Sequence, residues 1–372
     1  MKKIFIAVAF LLAGVVGSSV IFAVEPSKQI QTIEILSPAE GDEVSILHEN
    51  QIDFWEHDFQ TRNVSAHVSA TDSDQSKPVK TVLKWRNAGF LGDVNVYLNT
   101  EPNFYGIQPI AQTSFDEVSV DNLLKGQTYY WKVVSSDGSV SSEISSFVTA
   151  DEGPRTMNVG GISNVRDIGG YLTEDGKRVR QGVVYRGTEM NNIYNITPTG
   201  KSYMRDVLKI RTDLDFRSES ESQGITHSPL GEDVNYVRAP ILGYYHQEKY
   251  EVREYFVTVM KVFAEPNNYP VYFHCYAGAD RTGMVAFLFG ALLGVPYETL
   301  VRDYEFTSFS PLGIRQMNSA DSEVVGKEMN NFYDALMRYD GDSLKERAET
   351  YVISYLGLTP SEVMIIRDCM LE

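Results

Sequence analysis

The ten residues His274-Cys275-Tyr276-Ala277-Gly278-Ala279-Asp280-Arg281-Thr282-Gly283 place a cysteine six positions before an arginine, with glycine between them and Thr-Gly behind. Upstream, Pro270 to Phe273 is an aromatic and β-branched run that predicts a buried strand. Downstream, Met284 to Leu293 is almost wholly apolar and stops at Gly294, which predicts a buried helix. Cys275 then sits at a strand end, in a tight loop that opens a helix. That geometry makes an anion site: loop amides point inward, the helix end adds partial positive charge, and the Arg281 fork offers paired donors to phosphate oxygens. An electropositive loop also favours thiolate, the nucleophilic form of cysteine. Thr282 is placed to donate a hydroxyl hydrogen bond to the sulfur. His274, Tyr276, Ala277, Gly278 and Ala279 complete the expected cradle. The chemistry these residues suit is covalent phosphoryl transfer. The competing reading is an inert core cysteine, since free cysteine is often a small buried residue; it leaves the arginine, the glycine and Thr-Gly unexplained.

The loop resembles the active-site signature HCxxGxxRTG of the protein tyrosine phosphatase superfamily. More narrowly it is similar to the bacterial tyrosine/lipid phosphatases whose loop usually reads HCxAGKDRTG. The resemblance covers residues 155 to 372. Asn164-Val165-Arg166-Asp167-Ile168-Gly169-Gly170-Tyr171, Val184-Tyr185-Arg186-Gly187 and Asp215-Phe216-Arg217-Ser218 match that group's successive elements, as do Tyr304 and Tyr355-Leu356-Gly357. One departure stands in the loop, where Ala279 replaces the usual lysine. In phosphoinositide-hydrolysing relatives a basic residue at such a position helps hold extra ring phosphates. Its absence tilts the expectation toward phosphotyrosine or small phosphate monoesters, although Arg166, Arg186, Lys201 and Arg217 could supply substitutes.

The leaving oxygen needs a proton, and water attack on a phosphocysteine needs a base. Two aspartates compete. Asp215 ends a predicted strand at the rim of Cys275, and the resemblance implies a functional aspartate there; its other role is simply to pair with Arg217. Asp280 lies inside the loop beside Arg281, as the acid or as a carboxylate that orients the loop. The expectation favours Asp215. His274 is expected to hold the loop by hydrogen bonding, and Asn164, Arg166 and Asp167 to brace it. No metal or other cofactor is expected, because His, Cys and carboxylates show no ligand spacing.

These residues need a scaffold. From Met157 onward strands alternate with helical stretches: strands at 182–186, 212–216 and 270–274, helices at 202–208, 250–263, 297–306, 322–339, 343–355 and 361–370. The pattern predicts an α/β catalytic domain over 155–372, a mostly parallel sheet flanked by helices, with ligand beyond the strand C-termini. Residues 30–150 differ. Runs at 79–85, 93–99, 128–134 and 143–149, separated by turn residues, predict an all-β sandwich. It resembles a fibronectin type III domain, with Trp85 as core tryptophan and Tyr130 as the tyrosine of the E–F corner. Asp151-Glu152-Gly153-Pro154 reads as a polar hinge between the two.

Lys2 and Lys3 before the apolar stretch Ile4 to Val16, with a small residue at Ala23, predict a signal peptide over 1–23, the alternative being an uncleaved anchor. The protein is then exported, secreted or held at the cell envelope, with the N-terminal domain available to an envelope or cell-surface partner. A formal charge of −17 over 372 residues argues against nucleic acid and anionic membrane surfaces as partners. With Cys275 and Cys369 alone there is no disulfide framework. The function expected is a cysteine-dependent phosphatase acting on phosphorylated protein or small phosphate monoesters. The alternatives are an inositol phosphate or phosphoinositide phosphatase of the same mechanism, and an inactive phosphatase-like binding protein.

Overall fold

A computed structural model of the chain describes residues 31–69, 74–88, 92–241, 250–317, 325–326 and 328–372. The expected signal peptide lies outside them. No helix among the described residues is long and apolar enough to cross a membrane.

The N-terminal part carries strands β1 (Thr32–Ser37), β2 (Asp42–Val44), β3 (Thr81–Ala88), β4 (Val94–Asn99), β5 (Ala111–Thr113), β6 (Glu117–Val120), β7 (Thr128–Ser135) and β8 (Ser145–Thr149). They form a three-stranded sheet, β1-β3-β6, and a five-stranded one, β2-β8-β7-β4-β5. Their apolar faces meet in a core around Leu83, Trp85, Val94, Val96, Trp131, Val133 and Phe147. Along β7 the two-residue period turns Tyr129, Trp131 and Val133 inward. The inward tyrosine is therefore Tyr129, whose hydroxyl accepts from the Leu124 amide (2.9 Å); the expected corner tyrosine, Tyr130, faces the other way. The segment is also not purely β. Helix α1 (Glu49–Glu56) interrupts it and carries Phe54 and Trp55.

From residue 155 a six-stranded sheet forms from β9 (Arg155–Thr156), β10 (Arg166–Asp167), β11 (Val184–Gly187), β12 (Thr212–Asp215), β13 (Asn235–Arg238) and β14 (Val271–His274). Its order is β13-β12-β14-β11-β10-β9, parallel through the first four and antiparallel at β10 and β9. Helices cover it: α2 (Pro198–Ser202), α3 (Tyr250–Phe263), α4 (Asp280–Leu293), α5 (Tyr297–Glu305), α6 (Glu328–Leu336), α7 (Leu344–Thr350) and α8 (Pro360–Met370). Helix α4 is buried from Thr282 to Leu293, as its all-round apolar sequence requires, and ends at Gly294 in the left-handed conformation. Two expected helices split: 202–208 becomes α2 followed by a π-turn, and 343–355 becomes α7 followed by another.

The two parts share a core rather than a hinge. Phe306 and Phe309 insert into the N-terminal cluster, and Trp55 stacks on Tyr171. Arg302 donates to the Phe54 and His57 carbonyls (2.8 and 2.6 Å), satisfying the C-terminal end of α1. Arg62 pairs with both oxygens of buried Glu305 (2.8 and 2.9 Å). At the expected hinge, Gly153 and Pro154 are buried, and the Gly153 carbonyl accepts from Lys125 Nζ at 2.7 Å.

Candidate active site

Gly187 and Asp215 both lie level with His274 in the parallel register, so the residues after three strands meet at one rim. Cys275 is the next residue and only 2% exposed. The chain then turns sharply. Gly278 takes φ of +63°, and a Cβ there would lie 2.1 Å from the Gly187 carbonyl oxygen, so only glycine fits. Ala279 precedes α4 and provides no side-chain cap, which leaves the first turn of the helix to a ligand. Its methyl is fully buried.

Arg281 is held from the front. Its Nη1 and Nη2 donate to the two oxygens of Glu221 (2.8 and 2.7 Å). Burial alone would lower the Arg281 pKa, but Glu221 and the field of Cys275 raise it well above its ordinary value. Hydrogen bonds from Arg281 hold the Glu221 carboxyl down at about 2. Asp280 also stands at this mouth, its side chain 32% exposed. Its Oδ1 accepts from the Tyr304 hydroxyl (3.2 Å) and Arg315 Nε (2.9 Å). Tyr276 is half-buried and meets the ring of Tyr194 edge-on, centroids 6.1 Å apart.

Behind the loop lies a sealed ionic floor. Asp213 and Asp215 share one face of β12. Asp213 accepts from His274 Nε2 (3.0 Å) and from the Ser228 hydroxyl (2.7 Å). The oxygens of Asp215 take Nε, Nη2 and the backbone amide of Arg217 together with the Tyr236 hydroxyl. Arg217 reaches on to Glu189 (2.7 Å), and both members of each Arg217 pair are wholly buried. Burial pulls the Asp215 pKa up, yet the charge of His274 and the bonds from Arg217 bring it below the ordinary value. For His274 burial works downward, but Asp215 and Asp213 push it up to about 9. Asp215, the preferred acid of the sequence reading, is paired with Arg217 in this buried floor. His274 Nδ1 lies against the Cys275 carbonyl (3.1 Å).

A third group braces the loop from beneath. Asn164 Nδ2 donates to the Ala277 and Gly278 carbonyls (3.3 and 3.2 Å). Arg186 donates to the Gly278 carbonyl (2.9 Å) and Asp303 (2.8 Å), and Arg166 bridges Asn164 and Asp303. Burial, then the neighbouring charge of Arg166, lowers the Arg186 pKa to about 10. Asp167 ties Arg155 (2.7 Å) and two backbone amides, away from the loop. Arg166, Arg186 and Arg217 are fully buried and paired with Asp303, Glu189 and Asp215, though Arg186 Nε has no hydrogen-bond partner among the described residues. Thr282 differs from expectation. Its buried hydroxyl has no hydrogen-bond partner among the described residues, and the expected bond to the cysteine sulfur is not formed.

Glu221, Asp213, Glu189 and Asp303 escaped the sequence reading. Asp213 was signalled only by its place two residues before Asp215, and Asp303 only by its adjacency to Tyr304. Cys275 thus follows a strand end, Arg281 stands in the first turn of α4, and the loop between them is braced from beneath. The model of the tyrosine phosphatase family matches residues 157–372. The chain belongs to that family. It is also similar to the "Putative tyrosine-protein phosphatase" of Cupriavidus necator, 28% identical over 169 residues, which are 38% of this chain. The match spans 59% of that relative's length. Among solved structures it is similar to the core catalytic domain of the S. cerevisiae PP-IP phosphatase SIW14 in complex with citrate. The identity there is 15% and the TM-score 0.29, over 46% of this chain and 90% of that one.

Proposed function

We propose that the chain hydrolyses phosphate monoesters through a phosphocysteine, with phosphotyrosine as the preferred substrate class. The observation that carries this is the placement of Cys275 beneath an uncapped α4 and an Arg281 fork oriented by Glu221. The Cys275 thiolate attacks phosphorus in line while Arg281 and the loop amides take up the charge spreading over the equatorial oxygens. The bond from phosphorus to the leaving oxygen breaks, and that oxygen takes a proton from Asp280. Water then attacks the phosphocysteine, Asp280 accepts its proton, and inorganic phosphate leaves with the thiolate restored. Asp280 takes this role because its carboxylate, although paired with Arg315, stays partly exposed, whereas Asp215 and its Arg217 partner are wholly buried. The Thr282 hydroxyl supplies a donor to the sulfur once the thiolate is the leaving group.

Ala279 and the burial of the nearby arginines support an aryl monoester over a polyphosphorylated ring. Half-exposed Tyr276 and Tyr194 add aromatic surface beside the cysteine. The N-terminal 30–150 unit is a fibronectin type III-like sandwich in this reading, supported by the Trp85 core and the Tyr129 hydroxyl on the Leu124 amide. Export through the segment 1–23 rests on its two lysines and apolar run. Mass determination of the mature N-terminus from the source cell tests it.

The deciding experiment is turnover of p-nitrophenyl phosphate in EDTA. Wild-type activity that disappears in Cys275→Ser is expected, and activity persisting in that variant removes the mechanism. Comparing kcat/KM on phosphotyrosine peptides, phytate and soluble phosphoinositides tests the substrate class; a preference for either inositol compound overturns it.

A further inference from the structure

The catalytic loop is braced by Asn164, and Asn164 is itself held by a residue from the other part of the chain. Its backbone amide donates to the Ser76 hydroxyl oxygen at 2.9 Å. Ser76 is 2% exposed and Asn164 fully buried, so water does not substitute for this contact. The Ser76 hydroxyl is fully used. It gives its own proton to Asp74 Oδ1 (2.6 Å), and its oxygen lies 3.1 Å from the Ser163 hydroxyl. One donor and two acceptor sites are all that a serine hydroxyl has. Asn164 takes φ of +56°, a left-handed conformation that asparagine enters more readily than other side-chain-bearing residues, and the Ser76 contact holds its amide there. The segment bearing Ser76 is anchored in turn, since the Gln75 amide donates to the Phe309 carbonyl (2.8 Å) and Gln51 donates to the Gln75 carbonyl (2.6 Å).

We infer that Ser76 is a positioning residue: through Asn164 it sets the Ala277 and Gly278 carbonyls, and with them the direction of the loop amides that face phosphate. The N-terminal part therefore completes the catalytic loop, beyond any role in attaching the enzyme to a neighbour. The inference rests on the phosphatase reading for its kinetic consequence but not for the loop geometry.

The test uses the full chain with two readouts, p-nitrophenyl phosphate turnover and binding of tungstate, a tetrahedral oxyanion. Ser76→Ala is expected to lower kcat about tenfold, within the range that small misplacement of catalytic groups produces, with KM changed less than about twofold. Tungstate binding should weaken in parallel. Ser76→Thr, which keeps the hydroxyl, should restore most of the loss. The double variant Ser76→Ala/Asn164→Ala should be no slower than Asn164→Ala alone, because in this reading Ser76 reaches the loop through the Asn164 side chain. Asp74→Ala removes the acceptor of the Ser76 hydroxyl at a partly exposed side chain and should fold; a severalfold fall in kcat there keeps the inference testable if Ser76→Ala does not fold. Ser136→Ala, at an exposed site of the same part of the chain, should leave kcat unchanged. Wild-type kcat and tungstate affinity in Ser76→Ala, or in Asp74→Ala where only that variant folds, would overturn the inference; so would purely additive losses in the double variant. A wild type that binds tungstate without turnover would sink the phosphatase reading alone, and the tungstate comparison would still decide Ser76.

Discussion

Two arginine–carboxylate pairs flank the catalytic loop, and they differ mainly in access to water. Arg217 with Asp215 and Glu189 is wholly buried behind Cys275, whereas Arg281 and Glu221 stand in front, with side chains 19% and 37% exposed. A buried pair holds geometry, because breaking it strands a charge where nothing can solvate it. A pair at the mouth can yield one guanidinium edge to an incoming phosphate while the other stays oriented. In the proposed reading the same residue types are thus scaffold on one side and machinery on the other. Burial separates them, since both pairs involve paired donors at 2.7–2.8 Å.

Substitutions can break that contrast. The largest effect is expected at Arg281. Arg281→Ala should lower kcat on p-nitrophenyl phosphate about a thousandfold, the scale of removing a group that stabilises transition-state charge. Its melting temperature should change little. Asp215→Asn should do the opposite. Removing the charge that faces Arg217 and His274 is expected to destabilise the fold by about 3 kcal/mol, seen in denaturant titration. The ratio of rates on good and poor leaving groups should stay as in the wild type. If Asp215→Asn folds normally and selectively loses poor leaving groups, the floor is catalytic and the contrast fails.

Asp280 sharpens the same point at smaller scale. A general acid matters most when the leaving group is a poor one. Asp280→Asn is therefore expected to slow phosphotyrosine about tenfold more than a strongly activated aryl phosphate, near the low end of general-acid effects. Equal losses on both would make Asp280 an organiser of the loop. Glu221→Gln should lower kcat about tenfold, because it loosens the Arg281 fork without removing it. An unchanged kcat would mean that Arg281 needs no partner to find phosphate.

The catalytic loop was legible because its information is local: ten adjacent residues specify strand end, turn and helix start. The parallel sheet was legible from its alternation, since the short runs of β11, β12 and β14 stand between helical patterns, although only β14 is mainly apolar. What holds the loop was not. Glu221 and Arg281 are 60 positions apart, and Ser76 and Asn164 are 88 apart, so no spacing rule connects them. The choice between Asp215 and Asp280 depended on burial and partners, which a strand-end position does not supply. At Tyr129 and Tyr130 the two-residue period fails as a guide because the residues on both faces are aromatic; the register of β7 against β8 decides. Helix α1 was missed because its eight residues mix acids, amides and aromatics. Its stability comes from Arg302 at its end and Phe306 against Trp55, both supplied by the distant catalytic part.

The remaining expected effect concerns pH and the floor alone. His274 is raised from an ordinary value near 6.5 to about 9 by Asp215 and Asp213 against the pull of burial. Its folded-state pKa is above its unfolded one, so the stability it contributes is fully present below about pH 6.5 and is lost as pH rises through about 9. Asp215 is shifted the other way, below its ordinary 3.8. Its contribution is present above that value and lost as pH falls through the lower folded pKa. Between those limits both groups are charged and the floor is intact. Arg281 and Glu221 do not share the alkaline limit, because the arginine stays protonated and the glutamate is already ionised. Thermal unfolding followed from pH 7 to 9.5 should therefore show a melting temperature that falls by about 6 °C more in the wild type than in His274→Gln, the size expected when roughly 2 kcal/mol is lost from a domain this large. Parallel curves for the two proteins would mean that His274 is neutral in the folded state. The ionic floor would then reduce to Arg217 and its carboxylates.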